Sequence, residues 1–149
     1  MDIVTKEVRS RMMSGIGSRN TTPEMKVRSF LHRHGYRFRL HARELPGRPD
    51  IVLPRFKLCI LIHGCFWHRH EGCQYATTPR TREAFWQLKF EQNVARDARN
   101  LNALLEKGWR VFELWECGLR GPDDDISWLL GAVPDKSLRY VCWPWRRKD

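Results

Sequence analysis

The amino-acid sequence predicts an α/β fold in which a β-sheet lies between helices. Capping residues mark a first helix, apolar residues at helical spacing mark a second and longer one, and short apolar runs mark strands. The elements follow one another as a helix, three strands, a long helix and a strand. This order is typical of a sheet whose two faces are covered by helices.

The first helix is predicted from the residues at its two ends. Thr22 can cap the helix, Pro23 suits the first helical position, and Glu24 complements the positive charge of the N-terminal turn. Gly35 can adopt the left-handed conformation that ends a helix. We therefore expect a helix between Thr22 and Gly35.

Three strands are predicted after this helix. Residues 36–40 alternate apolar and basic side chains, as a half-exposed strand does. A turn with the sequence LPGRPD then places Asp50 at the start of a short apolar strand, residues 51–54. Residues 57–64 form an apolar run that is too short for a helix and too continuous for an exposed strand, so we expect a buried strand.

The second half of the chain begins with a long helix. Apolar residues in the segment 81–107 recur near helical spacing, and Gly108 ends that segment. Residues 109–117 follow as another strand, and residues 123–131 have the pattern of a short capped helix. The tail from residue 140 is aromatic and then basic, and no element is assigned to it.

Length and composition predict one domain that spans residues 1–149, because single cores usually contain ~100 to 200 residues. Residues 1–20 are basic and apolar only in patches, so we expect an N-terminal arm that is loose without a partner. No apolar run approaches the ~20 residues that cross a bilayer, and no signal-peptide pattern occurs. We therefore expect a cytoplasmic protein that does not enter a membrane.

Charge is the strongest signal in the composition. The chain contains 27 Lys and Arg against 17 Asp and Glu, which gives a formal net charge of +10. Such an excess attracts polyanions, and nucleic acid is the most abundant polyanion in a cytoplasm. We therefore favour nucleic-acid binding over the alternative of a merely solvated basic surface.

Histidines and cysteines are concentrated in residues 60–73, which read ILIHGCFWHRHEGC. Thiolates and imidazoles are the ligands that tetrahedral Zn²⁺ prefers, and a metal would supply rigidity that a loop rich in Gly and polar residues lacks. The predicted zinc ligands are Cys65, His70, Cys73 and Cys117. The choice of histidine stays open, because His63 and His68 also lie within reach. The other two cysteines, Cys59 and Cys142, are interpreted as core or incidental residues.

Asp50 is the carboxylate most suggestive of catalysis, because it precedes an apolar strand and follows a rigid turn. If that strand pairs with residues 57–64, Asp50 approaches His63 and His68 at one corner of the sheet, and Glu24 approaches from the first helix. A carboxylate with a backbone carbonyl and water is the usual site for Mg²⁺, and a neighbouring histidine can take a proton from water. The alternative is an Asp that only forms the turn.

Four motifs carry a resemblance to a known family. The sequences LPGRPD, HGCFWH, NVARD and GWRVFELWEC resemble those of very-short-patch repair endonucleases, the Vsr family, over residues 9–120. The resemblance implies a restriction-endonuclease-like core with a mixed β-sheet between helices and a structural zinc site. It also implies an enzyme that nicks DNA 5′ of the thymine in a T·G mispair left by deamination of 5-methylcytosine.

The resemblance assigns the catalytic residues by matching positions. Asp50 is the implied Mg²⁺ ligand, with the backbone carbonyl of Ile62 beside it. His68 is the implied general base, supported by His63 and Glu24. The chain departs from the family pattern after His68, where the path to the next cysteine is one residue longer.

The resemblance also assigns residues that contact DNA. Phe66 and Trp67 are implied to enter the base stack beside the mispair, while the arm around Met13 presses from the minor groove. Asn93 and Asp97 match a family motif in the long helix and are placed among the DNA-binding residues. The expected substrate is double-stranded DNA with a T·G mispair, cut by a monomer, with other mismatch-repair proteins as candidate partners.

Two other functions remain open from the sequence. A sequence-specific restriction-type endonuclease would share the active site but cut intact duplex. A zinc-stapled DNA-binding module without catalysis would explain the charge and the cysteines, but would give Asp50, Glu24 and His68 no task.

Overall fold

The computed structural model describes residues 21–71, 73–120 and 125–144. The predicted arm at residues 1–20, with Met13, lies outside the described residues. Within them the protein has the expected mixed α/β architecture, with helices and a five-stranded sheet. No helix of the described residues is both long enough and apolar enough to cross a membrane.

Helix α1 spans Thr22–Arg33, as the capping pattern predicts, but its N-cap is Thr21 rather than Thr22. The backbone of Thr21 is extended, and its hydroxyl accepts a hydrogen bond from the amide of Glu24 at 3.4 Å. The cap therefore lies one residue earlier than predicted, because the hydroxyl of Thr21 reaches the amide of Glu24, which has no acceptor within the helix. Gly35 has a φ of +82° and ends the helix in the predicted left-handed conformation.

The sheet is mixed, with strands in the order β1-β2-β3-β4-β5. The pairs β1–β2 and β2–β3 are antiparallel, whereas the pairs β3–β4 and β4–β5 are parallel. The strands are β1 (Arg39–Leu40), β2 (Ile51–Leu53), β3 (Leu58–His63), β4 (Arg110–Trp115) and β5 (Tyr140–Trp143). Strand β1 is shorter than the predicted 36–40, because it pairs only with two residues of the three-residue β2. Strand β5 falls in the tail that the sequence left unassigned.

Helix α2 spans Glu83–Glu106 and connects the parallel strands β3 and β4. The predicted strand 109–117 ends earlier than expected, because the chain turns into a 3₁₀ helix at Glu116–Leu119. That turn brings Gly118 against β5, where a Cβ atom would lie 2.7 Å from the ring of Trp143. Of the predicted helix 123–131, residues 123–124 lie outside the described residues, and the remainder contains only the short α3, Leu129–Ala132.

The two faces of the sheet bury different helices. Alternate residues of β3 and β4 pack with α1 and α3, and they are Leu58, Ile60, Phe112 and Leu114. The intervening residues, such as Cys59, Leu61 and Val111, pack against Leu104 of α2. Each fully buried Leu, Ile or Phe side chain contributes ~2 kcal/mol through removal of apolar surface from water. This layering holds the sheet between helices, as the order of elements predicts.

Arg110 fixes the position of the C-terminal strand. Its side chain is buried, and it donates hydrogen bonds to the backbone oxygens of Phe56, Ala132, Val133, Asp135 and Leu138. Charge-assisted hydrogen bonds are stronger than neutral ones, and here they gather three separate segments around the start of β4. The chain is thereby led into β5 beside β4.

Candidate active site and metal centre

Asp50 lies at the edge of a cavity beside the end of β3. The antiparallel register pairs Ile51 with Ile60, so Asp50 lies alongside the last residues of β3. The amide of Ile62 donates a hydrogen bond to Oδ2 of Asp50 at 2.8 Å. Asp50, His63 and His68 line one cavity of about 240 Å³. The structure thus brings the predicted acid and both predicted histidines to the same space.

The environment of Asp50 favours a bound cation. Burial raises the pKa of its carboxyl, the hydrogen bond from the Ile62 amide lowers it and the nearby Glu24 raises it, and the net result is a pKa of about 6 instead of 3.8. A divalent cation would offset the desolvation cost of the ionised carboxylate. Asp50 and the carbonyl of Ile62 offer hard oxygen donors of the kind that Mg²⁺ prefers, so these residues fit that ion.

Glu24 is buried and bound by two cationic or hydrogen-bonding side chains. Nε2 of His41 lies 3.1 Å from each carboxylate oxygen, and Nη1 of Arg28 lies 3.2 Å from Oε2. Glu24, His41 and Asp50 each present a ligand atom within 4.8 Å of the others. The backbone amide of His41 also donates to the carbonyl of Asp50 at 3.1 Å. His41 is therefore a site residue that the sequence did not indicate.

The two predicted histidines lie against each other and against α2. The ring centroids of His63 and His68 are 4.3 Å apart. Burial and, to a smaller extent, the neighbouring His68 together lower the pKa of His63 to about 3, so His63 is neutral at physiological pH. Nδ1 of His68 lies 2.5 Å from Oδ2 of Asp97. A carboxylate can only accept, so Nδ1 carries the proton and Nε2 is the basic nitrogen of neutral His68.

A second cavity of about 210 Å³ lies on the other side of these histidines. It is lined by His63, His68 and Asp97 and also by Glu113 of β4 and Tyr140 of β5. The hydroxyl of Tyr140 donates to Oε2 of Glu113 at 3.1 Å, and burial raises the pKa of Glu113. A buried acid among the apolar side chains that face α2 is a feature that the sequence analysis missed.

The four predicted zinc ligands converge in the structure. Nδ1 of His70 lies 3.7 Å from Sγ of Cys65 and 3.5 Å from Sγ of Cys117. The ligand atoms of Cys65, His70, Cys73 and Cys117 all lie within 4.8 Å of one another. Bonds of ~2.0 to 2.3 Å to a tetrahedral Zn²⁺ place its ligands about 3.5 to 4 Å apart, so this donor set fits zinc. Among the histidines in reach, His70 is the one that joins the cysteines.

The remaining cysteines of the chain lie outside this metal cluster. Cys59 is buried in β3 on the face that packs against α2, as expected for a core residue. Cys142 in β5 accepts a hydrogen bond from Nε1 of Trp115 at 3.3 Å. Within the cluster, burial raises the pKa of the Cys65 thiol far above its usual range. A bound cation is what would convert such a buried thiol to a thiolate.

Trp115 connects the metal cluster with the histidines. The ring of His70 stacks on Trp115 at 4.2 Å between centroids and an interplanar angle of 10°. The ring of His63 lies 5.0 Å from the same indole. Trp115 also lines the second cavity, so the metal cluster adjoins that cavity and, through His63, the cavity at Asp50.

Phe66 and Trp67 lie in an aromatic cluster with two side chains of α2. Their rings meet edge to face at 5.0 Å, and Phe66 also contacts Phe90 at 5.2 Å. Trp86 lies 5.8 Å from Trp67 and was not singled out from the sequence. The α2 spacing Phe85, Trp86, Phe90 is the signal that could have found it.

Asn93 and Asp97 were predicted to contact DNA, and that contact stays a prediction. In the structure the side chain of Asn93 is buried and donates to the carbonyl of Trp67 at 3.3 Å. Asp97 holds His68 instead, as described above. Both residues of α2 therefore support the loop that follows β3.

Comparison with known proteins identifies relatives of this chain. The sequence profile of the family described as DNA mismatch endonuclease Vsr matches residues 1–74. The DNA mismatch endonuclease Vsr of Escherichia coli is 44% identical over 141 residues, which cover 95% of this chain and 88% of the relative.

Two further relatives are named as nicking enzymes. The Type II nicking enzyme V.XorIIP of Xanthomonas oryzae pv. oryzae is 49% identical over 118 residues, or 79% of this chain and 86% of that protein. The Type II nicking enzyme V.NmeAIP of Neisseria meningitidis is 40% identical over 119 residues, or 80% and 84% respectively. Identity at this level over nearly whole chains is shared by members of one family. The protein therefore belongs to the Vsr family of DNA mismatch endonucleases.

Proposed function

We propose that this protein nicks one strand of DNA 5′ of the thymine in a T·G mispair and so starts the repair of deaminated 5-methylcytosine. The observation that carries the proposal is the cavity shared by Asp50, His63 and His68, next to a loop that bears Phe66 and Trp67. We also infer that the sheet and helices form a restriction-endonuclease-like core in a single domain. Double-stranded DNA is the proposed substrate, and the net charge of +10 favours contact with its phosphates.

In the proposed mechanism, hydrolysis of the phosphodiester bond uses a carboxylate and a histidine. Asp50 and the carbonyl of Ile62 would hold Mg²⁺, which supplies positive charge to the phosphate and its leaving oxygen. His68 accepts the proton of the attacking water at Nε2, because Asp97 binds its other ring nitrogen. The ring of neutral His63 packs at an interplanar angle of 34° against that of His68 and limits its motion.

Glu24 has a supporting role in this proposal. Its carboxylate is engaged by His41 and Arg28, so it contributes negative charge next to Asp50 without leaving its own partners. His41 is bound both to Glu24 and to the backbone of Asp50. Glu24 and His41 therefore help to hold the backbone of Asp50, while the amide of Ile62 holds its carboxylate.

Recognition of the mispair is assigned to Phe66 and Trp67, referred to below as the wedge. Opening a base step costs least where pairing is already poor, so an inserted ring tests the strength of the pair. Zinc held by Cys65, His70, Cys73 and Cys117 would keep the loop rigid during insertion. The arm around Met13 is proposed to approach from the minor groove.

Strand-resolved cleavage tests the proposal. Duplexes labelled on either strand, with a T·G mispair or fully matched, are incubated with the protein and Mg²⁺. A single nick 5′ of the thymine is the expected result. Equal cleavage of both duplexes would indicate a restriction-type nuclease, and binding without cleavage would indicate a zinc-stapled binding module.

The wedge is tested with Phe66→Ala. Loss of one stacked ring should reduce the preference for the mispair about tenfold or more, from the ~1 to 3 kcal/mol of a base–aromatic contact. Leu88→Ala, which changes an exposed apolar side chain of α2, is the matched control and should keep the preference. A Phe66→Ala enzyme with wild-type preference would remove Phe66 from the recognition step.

A further inference from the structure

Arg69 lies two residues after the wedge, next to His68, and has an unusual backbone conformation. Its φ is +56°, in the left-handed region that side chains other than glycine seldom occupy. Such a conformation persists only where other contacts hold it. The side chain of Arg69 supplies those contacts.

Both terminal nitrogens of the Arg69 guanidinium are engaged within the protein. Nη1 donates to the carbonyls of Phe66 at 3.3 Å and Thr77 at 2.7 Å. Nη2 donates to the carbonyl of Ala76 at 3.0 Å and to Oγ1 of Thr78 at 3.1 Å. Two terminal nitrogens carry four N–H groups, and all four are therefore engaged. These N–H groups are therefore not presented to a DNA phosphate, and the role of Arg69 differs from the phosphate contact expected of a basic residue on this protein.

The same guanidinium group also contacts two aromatic rings, one in α2 and one in the wedge. The guanidinium carbon lies 4.0 Å from the centroid of the Phe90 ring and 5.9 Å from that of Phe66. Phe90 is buried in α2 and meets the ring of Phe66 edge on at 5.2 Å. Arg69 thus joins three parts of the protein, which are the wedge loop, the segment 76–78 and helix α2.

We propose that Arg69 is a positioning residue that fixes the angle at which Phe66 and Trp67 enter the base stack, and that it thereby determines how strongly the enzyme prefers mispaired DNA. The proposal rests on the proposed function. The zinc ligands hold the loop at Cys65, before the wedge, and at His70 and Cys73, after it. Arg69 acts at the wedge itself, through the carbonyl and the ring of Phe66.

Arg69→Gln and Arg69→Lys test this role. Glutamine cannot reproduce the four bonds, and lysine keeps the charge but lacks the planar fork. We expect both variants to retain one zinc ion per chain and to lose about tenfold in preference for T·G over matched duplex, the size of one base–aromatic contact. Arg99→Gln, which removes an equal charge from an exposed position of α2, should leave the preference unchanged.

A duplex with thymine opposite an abasic site distinguishes a role in positioning the wedge from a general loss of enzyme structure. The base step is already open there, so a correctly folded active site no longer depends on the angle of the wedge. Arg69→Gln should nick this duplex at the wild-type rate. Equal loss on the T·G and abasic duplexes, loss of zinc, or an unchanged preference would each overturn the proposal.

Thr78→Val removes only one of the four acceptors and serves if Arg69→Gln does not fold. A smaller loss of preference in the same direction supports the proposal, whereas wild-type preference in Thr78→Val would then count against it. A wild-type protein that nicks no duplex would refute the proposed function, whatever the Arg69 variants do. If the wild type nicks the T·G duplex and Arg69→Gln prefers it equally strongly, the proposed role of Arg69 is refuted while the proposed function stands.

Discussion

Nδ1 of His68 lies 2.5 Å from Oδ2 of Asp97, so a carboxylate of helix α2 holds the proposed base on the loop after β3. The bond crosses 29 residues of sequence and fixes which nitrogen of His68 is basic. It also makes α2 part of the active site rather than a covering helix alone. Four predictions follow from this arrangement and from its surroundings.

Asp97→Asn should slow nicking by about 100-fold or more, because the base loses its fixed tautomer and orientation. Binding to a T·G duplex should change little, since the wedge is untouched. Single-turnover nicking and duplex binding measure the two effects. Glu91→Gln, which neutralises an exposed acid on the same helix, is the control, and an Asp97→Asn enzyme as fast as that control would contradict the assignment.

Asp50→Asn should stabilise the metal-free protein at neutral pH. Burial raises the pKa of Asp50 from 3.8 to about 6, so the unfolded chain ionises first and the wild type loses stability as the pH rises through this window. The shift corresponds to about 3 kcal/mol. Urea unfolding at pH 4 and pH 7 measures the difference between the two proteins.

Mg²⁺ provides the second half of the Asp50 comparison. Added Mg²⁺ should return stability to the wild type at pH 7 but not to Asp50→Asn, because binding to the folded state alone shifts the unfolding equilibrium. A wild type that gains no stability from Mg²⁺ would argue against a cation at Asp50. Nicking by Asp50→Asn should be abolished.

Cys117→Ser should lower the zinc content below the expected one ion per chain and loosen the loop that it ties to the sheet. Structural zinc contributes folding free energy directly, so the thermal unfolding temperature should also fall. Elemental analysis and calorimetry measure these effects. Cys59→Ala removes a buried thiol outside the cluster and should retain zinc, so equal metal content in both variants would exclude Cys117 as a ligand.

Glu113→Gln should gain stability relative to the wild type as the pH rises. Burial raises the pKa of Glu113 above its usual 4.5, so the folded wild type is penalised once the unfolded carboxyl ionises. Tyr140→Phe should increase that penalty, because the hydrogen bond to the carboxylate is lost. Thermal unfolding temperatures of the three proteins are measured between pH 4 and pH 8. Parallel curves of unfolding temperature against pH would contradict this prediction.

Local signals in the sequence predicted the parts of the site that are local in the chain. Three of the four predicted zinc ligands lie within residues 65–73 and the fourth follows a strand, so donor type and spacing were sufficient to predict that these side chains converge. The start of β2 likewise placed Asp50 correctly beside β3. These features depend on pattern and register, which a single sequence carries.

Contacts between distant segments could not be predicted in the same way. His41 joins Glu24 across 17 residues, and its left-handed backbone has no signature in residue type. Strand β5 owes its place to the hydrogen bonds of Arg110 in β4, whose acceptors include Asp135 and Leu138, 25 and 28 residues away in sequence. The partner of His68 also comes from another element. Side-chain pairing across elements follows from the assembled fold, and local propensity does not encode it.

The indole of Trp115 stacks on His70 and contacts His63, so under the proposed function it links loss of the metal ion to loss of activity. Under the proposed function, loss of the ion would shift this indole together with the loop that bears Phe66 and Trp67. A cell short of zinc would then contain an inactive protein and not a nuclease that cuts undamaged DNA.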